Sequence, residues 1–139
     1  MIFEVKDKFK LSENFLNKYK GKQPEWGPLG YIIYKRTYAR YTDDTLTKME
    51  EWWQTVQRVV EGTYTIQLNH CKKLRLPWNA HKAQKSAQRM YELIWDFKFL
   101  PPGRGLWAMG ADVVYKKDND IMIYALNSNK IQDLIVLDD

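Results

Sequence analysis

Histidine and cysteine are the side chains best able to hold a metal or attack a carbonyl, and the sequence offers His70, Cys71 and His81. A structural zinc site takes four ligands, usually in paired spacings, and no second pair of that kind is present, so no metal is expected. Cys71 is no better placed as a nucleophile: neighbouring side chains point apart, and no third group that could orient a base can be identified. These residues read as a surface loop.

Gly103-Arg104-Gly105, after Pro101-Pro102, looks at first like a phosphate-cradling loop. It lacks the Lys-Ser/Thr ending of a Walker A loop and follows no predicted strand, so neither nucleotide fingerprint is met. Its glycines still permit close backbone approach, and Arg104 can pair bidentately with a carboxylate or phosphate. A tight turn anchored to a core by Leu106 and Trp107 explains the same residues. Lys35, Arg36 and Arg40 interleave with Tyr34, Tyr38 and Tyr41. Such a set could stack single-stranded nucleic acid. Its helical or strand phase favours an element that buries the rings and solvates the cations. Asp43-Asp44 and Glu50-Glu51 fall at or near a helix start, where capping and the helix dipole account for them. No catalytic residue emerges from these types and spacings.

The elements that must position these residues are mainly helical. Ser12 is a plausible N-cap for a short helix ending at Gly21, and Pro24, Gly27, Pro28 and Gly30 enforce turns around Trp26 as an anchor. Residues 31–41 fit a strand or a helix equally. Thr42-Asp43-Asp44-Thr45 is expected to open the clearest helix, with Thr47 and Glu50 at capping-box spacing. Leu46, Met49, Trp53, Val56 and Val60 form its stripe and Gly62 its stop, leaving residues 63–76 as an irregular basic connection. A second helix runs from 77–79 to about 98 on the stripe Ala83, Ala87, Met90, Tyr91, Ile94 and Trp95. Residues 113–115, 121–124 and 131–137 read as short strands, too few to be stable alone.

A chain of 139 residues with 45% hydrophobic, 14% aromatic and 28% charged residues is one domain or part of a larger one, not a disordered segment. No apolar run is long enough to span a membrane, and Glu4 and Lys6 interrupt the apolar core that a signal peptide needs. A single cysteine excludes an internal disulfide and predicts a cytoplasmic location. The net charge of +5 comes from residues 1–110, because residues 111–139 carry more acid than base. A basic body suits phosphate-bearing partners.

Whole phrases say more than single residues. Pro24-Glu25-Trp26-Gly27-Pro28-Leu29-Gly30, Tyr34-Lys35-Arg36-Thr37-Tyr38-Ala39-Arg40-Tyr41, Val56-Gln57-Arg58-Val59-Val60-Glu61-Gly62 and Leu100-Pro101-Pro102-Gly103-Arg104-Gly105-Leu106-Trp107-Ala108-Met109-Gly110 stand in this order. Together they resemble the opening of adenosylcobalamin-dependent (class II) ribonucleoside-triphosphate reductases. The motif residues are Trp26, Gly27, Lys35, Arg36, Arg40, Gly103, Arg104, Gly105, Trp107 and Gly110. The resemblance implies a mainly α fold: residues 1–110 as the helical N-terminal region of a ten-stranded α/β-barrel enzyme, and residues 111–139 as a diverged or truncated start of that barrel. It also implies reduction of ribonucleotides to deoxyribonucleotides for DNA synthesis. In the family, adenosylcobalamin generates a thiyl radical on one cysteine, and a pair of others, recharged by a thioredoxin-type reductant, supplies the electrons.

The departures from the family are equally specific. Ala111-Asp112 stands where the family has Thr-Asp, and Leu126-Asn127-Ser128-Asn129 where it has Leu-Asn-Asn-Cys, so no redox role passes to Asn129. Cys71 lies outside every matched phrase, which leaves this chain without the thiols for radical or disulfide chemistry. The resemblance therefore implies the front portion of a truncated or split reductase, not competent alone and holding no identifiable cobalamin-binding residue. Its partners would be ribonucleoside triphosphates and a barrel-bearing chain or missing C-terminal part, with Arg104 the candidate for a substrate phosphate. After Gly110 the tail fits a split gene, intervening-sequence read-through, a frame change or a diverged first strand. The alternatives are a small basic protein that binds single-stranded nucleic acid through residues 34–41, and an inert remnant.

Overall fold

Residues 7–111, which the computed structural model describes, form five helices in chain order: α1 Glu13–Leu16, α2 Gly30–Thr37, α3 Trp52–Lys73, α4 Ala80–Trp95 and α5 Gly103–Ala108. The described residues contain no strand, only an isolated antiparallel bridge between Tyr41 and Met49. The strands expected at 113–115, 121–124 and 131–137 lie outside the described residues.

α3 and α4 are the frame. α4 follows its sequence pattern closely: Asn79 caps it by accepting the Lys82 N–H at 3.0 Å, and Ala83, Ala87, Met90, Tyr91 and Ile94 are buried. It ends at Trp95 rather than 98, where Phe97 turns left-handed at φ 58°. Val56, Val59 and Val60 of α3 are buried in the same core, and the Tyr91 hydroxyl donates to the Trp53 carbonyl at 3.0 Å.

α3 departs from the expected helix at both ends, for physical reasons. The Asp43 carboxylate does not cap a helix. It accepts the N–H groups of Thr47 and Lys48, each at 3.0 Å, and the hydroxyls of Thr45 and Thr47, so it closes a loop on itself. Those donors hold its carboxyl well below the usual carboxylate range. Leu46 sits exposed in that loop at φ 56°, off the core stripe. The helix starts instead at Trp52, where the Gln54 side-chain oxygen accepts the Glu51 N–H at 2.8 Å.

Gly62 is not a stop, and residues 63–73 continue the helix. Thr65 and Asn69 there, with Glu61 one turn before, face inward and grip residues 7–11. Thr65 Oγ1 accepts the Phe9 N–H at 2.9 Å, Asn69 Nδ2 donates to the Asp7 carbonyl at 2.7 Å, and Glu61 accepts the Leu11 N–H at 3.0 Å. A stretch that looked irregular by hydropathy is thus a helix whose inner face satisfies an extended backbone.

The first helix keeps its predicted cap, with Ser12 Oγ accepting the Phe15 N–H, but only Glu13–Leu16 is regular before turns lead to Gly21 at φ 75°. Residues 30–37 resolve as helix. Tyr34 is buried there, stacked on Trp26 with ring centroids 5.4 Å apart, and Trp26 also meets the edges of Trp52 and Phe97. Trp26 is therefore the anchor its turn-rich setting predicts.

Candidate functional site

Glu50 and Arg58 form the polar centre of the molecule. Glu50 is buried, and its carboxylate accepts from Arg58 Nη2 at 2.7 Å, Arg58 Nε at 3.2 Å and the Thr55 hydroxyl at 2.7 Å. Tyr34 adds its hydroxyl to Thr55, and burial pushes that phenol well above its ordinary range, so it stays protonated. The fork of Arg58 also reaches outward. Nη1 donates to the Met109 carbonyl at 2.7 Å and Nη2 to the Leu106 carbonyl at 2.9 Å. These carbonyls close α5, where helical partners run out.

Glycine completes the joint. A Cβ on Gly62 would stand 2.5 Å from the backbone of Gly110, and one on Gly110 would stand 2.1 Å from the Arg58 carbonyl oxygen. Gly110 also adopts φ +78°, in the left-handed region. α5 and its exit are therefore seated directly on the α3 backbone.

Beside the joint opens a cleft of about 970 Å³, bordered by Lys10, Arg36, Arg40, Asp44, Glu61 and Trp107 among others. It brings together both signs of charge. The Arg40 guanidinium lies 4.3 Å over the Trp107 ring and donates to the Trp107 carbonyl at 3.1 Å.

The motif residues distribute as follows. Lys35 is not a solvated cation: its Nζ donates to Glu51 at 2.7 Å and to the Glu50 carbonyl at 2.9 Å. Arg36 is exposed and makes no ion pair among the described residues. Trp107 is 43% exposed beneath Arg40, so Leu106, not Trp107, is the core anchor of α5. Gly103 and Gly105 belong to that helix rather than to a tight turn, and Gly103 faces the Tyr38 ring. Arg104 is exposed and does not border the cleft. Gly27 sits exposed in its turn, its carbonyl accepting the Gly30 N–H at 3.1 Å.

His70 and Cys71 lie on α3 and His81 on α4, not on a loop, and no group of three or more metal-ligating side chains occurs among the described residues. With Tyr34 buried, Tyr38 half-buried and Lys35 paired, residues 34–41 do not form the exposed basic and aromatic platform that nucleic-acid stacking needs. Sequence reasoning assigns Glu50 only a capping role and Gly62 only that of a helix stop, and Arg58 no role of its own. Arg58 and Gly62 stand within a quoted phrase, which was the available signal.

The Glu51 carboxyl ties α2 to the start of α3. Burial works to raise it, but hydrogen bonds from Lys35 and Gln23, the Lys35 charge and the Tyr31 hydroxyl outweigh that and hold it below its ordinary value. A lowered folded pKa stabilises above the unfolded pKa of about 4.3 and loses that contribution as pH falls through the folded value. Wild type should therefore melt higher than Glu51→Gln at pH 7. Melting curves recorded down to pH 2 should converge, and a gap that persists would deny the role.

A family profile described as "Ribonucleotide reductase alpha domain" matches residues 11–111, which include α1 to α5. The chain belongs to the ribonucleotide reductase alpha-domain family. Its similarity extends to a Dictyostelium discoideum protein named "Probable adenosylcobalamin-dependent ribonucleoside-triphosphate reductase", 46% identical over 82% of this chain and 15% of the relative. The adenosylcobalamin-dependent ribonucleoside-triphosphate reductase of Euglena gracilis is 43% identical over 80% of this chain and 15% of its own length. A crystal structure of a B12-dependent (class II) ribonucleotide reductase superposes with a TM-score of 0.62 at 37% identity, covering 75% of this chain and 14% of that one. The chain thus spans about one seventh of the length of these reductases. Its helices correspond to the N-terminal part of the class II reductase, and the reductase barrel is not among them.

Proposed function

We propose that this chain is the helical N-terminal portion of an adenosylcobalamin-dependent ribonucleoside-triphosphate reductase. In this reading residues 1–110 are the helical region and residues 111–139 a diverged or truncated start of the barrel. Its work is positional: it holds the exit of α5 in a fixed direction for the catalytic part. The observation that carries this is the locked joint inside the family match, with Arg58 on the Leu106 and Met109 carbonyls and Gly62 against Gly110.

When bound, adenosylcobalamin supplies the radical that starts ribonucleotide reduction in such enzymes. The described residues do not fit that group. Their cleft is lined by charges of both signs, and its tryptophan face is covered by Arg40. Cofactor, reducing thiols and their thioredoxin-type reductant accordingly belong with the barrel-bearing part, in the cytoplasm. Arg104, exposed and without an ion-pair partner among the described residues, is the group proposed to face a substrate triphosphate.

Co-expression with a barrel-bearing class II polypeptide that lacks its own front region tests the proposal. The two should co-purify at micromolar concentration and reduce ribonucleoside triphosphates only together and with adenosylcobalamin. Arg104→Ala should raise KM about tenfold at nearly unchanged kcat, the effect of losing one charge-assisted contact. No association would reject the proposal, and an unchanged KM would remove Arg104 from it.

A further inference from the structure

α2 carries apolar side chains on two faces. Tyr34 is buried against Trp26 and Trp52, while on the other side Leu29, Ile32 and Ile33 are 64%, 61% and 51% exposed. With Arg36 they occupy positions i, i+3, i+4 and i+7, a single outward stripe. A contiguous apolar stripe on the surface of a helix, opposite the face it buries, marks an interaction site.

Two observations say what covers it. The solved class II chain is matched over only 14% of its length, so most of such an enzyme lies outside these helices. In addition, Arg36 at the end of the stripe borders the same cleft as Gly110 and Ala111, where the described residues end. The charged end of the stripe thus opens on the cleft that the exit of α5 also borders. Resting on the function proposed above, we infer that Leu29, Ile32 and Ile33 form the seam on which the barrel-bearing part of the reductase packs. Arg36, with no ion-pair partner among the described residues, is the charged rim of that seam and calls for a carboxylate opposite.

The test uses the full chain, tagged and co-expressed with the barrel-bearing part of the Euglena gracilis reductase from which its own matching front region has been removed. The double variant Ile32→Glu/Ile33→Glu should recover at least tenfold less partner than wild type, with an unchanged thermal melt of its own. Leu76→Glu, equally exposed but beyond the far end of α3, should recover as much as wild type. Recovery by the double variant equal to wild type overturns the seam and leaves the proposed function standing. Failure of wild type itself to recover partner overturns both. Should the double variant melt early, hydrogen exchange of the wild-type chain decides: α2 amides gain protection with the partner, or the inference fails. Loss of self-association alone, with partner recovery intact, would assign the stripe to a second copy and overturn it.

Discussion

Arg58→Ala should destabilise the described helices by about 3–5 kcal/mol, the usual penalty for removing one partner of a buried ion pair. Glu50 is 5% exposed in the intact protein, and the substitution leaves its carboxylate with only Thr55 donating to it and strips the donor from two carbonyls at the end of α5. Distance alone would not predict this. The Lys20–Glu13 pair is as short, at 2.6 Å, but its side chains are 39% and 73% exposed, and such pairs contribute under about 1 kcal/mol. Arg58→Lys should fall between, because one ammonium cannot reproduce a fork that serves a carboxylate and two carbonyls. Replacing Glu50 and Arg58 together by Gln and Met should recover part of the loss, since no charge is then stranded. Urea unfolding at constant slope measures all three. A loss below about 1 kcal/mol for Arg58→Ala would mean that Glu50 is not held as a buried carboxylate.

Gly110→Ala should be comparably severe, on the order of 2–4 kcal/mol, since a left-handed backbone and an overpacked contact are combined at one residue. Its Cβ would meet the Arg58 carbonyl oxygen at 2.1 Å, and neither atom belongs to a side chain that could rotate away. Gly62→Ala is the sharper case because two effects oppose. Within a helix alanine gains about 1 kcal/mol over glycine, yet here its Cβ would stand 2.5 Å from Gly110. The clash should win in the folded protein and be absent from an isolated peptide of α3. The variant peptide should therefore gain helicity while the variant protein melts lower and the Leu106 and Met109 amides exchange faster. A protein that melts higher would show that α5 does not seat on α3.

How much of this was legible follows from where each residue finds its partner. α4 was readable almost whole, because its cap and its apolar stripe are local. Trp26 was readable because prolines and glycines around one tryptophan leave it little to do but anchor. The start of α3 was not, because Asp43, Thr45 and Thr47 carry the same acceptors that a helix cap needs and use them on their own loop. Its second half was hidden because Thr65 and Asn69 turn polar groups inward to a backbone more than fifty residues away. The joint was least visible of all. Arg58 binds the carbonyls of Leu106 and Met109, and a carbonyl has no side-chain identity to read. The phrases quoted for the resemblance nonetheless contained Arg58, Gly62 and Gly110, which is why the family was recognisable before the role was.

The grip of Glu61 on the Leu11 N–H and the contact of Gly62 with Gly110 fall on adjacent residues of one helix. The backbone at Leu11 and the backbone at Gly110 therefore dock side by side on α3, although residue 7 itself lies about two turns further along, at Asn69. A loop bridging residues 7 and 111, long enough to cover about two helical turns from Asn69 to Gly62, with new termini opened in the exposed turn around Gly27, would leave every helix and the Arg58 fork intact. Built this way, the bundle would keep α3 as the one support for both of its ends, and a permuted chain that melts like the parent would show that the order of the helices along the chain is not what holds them together.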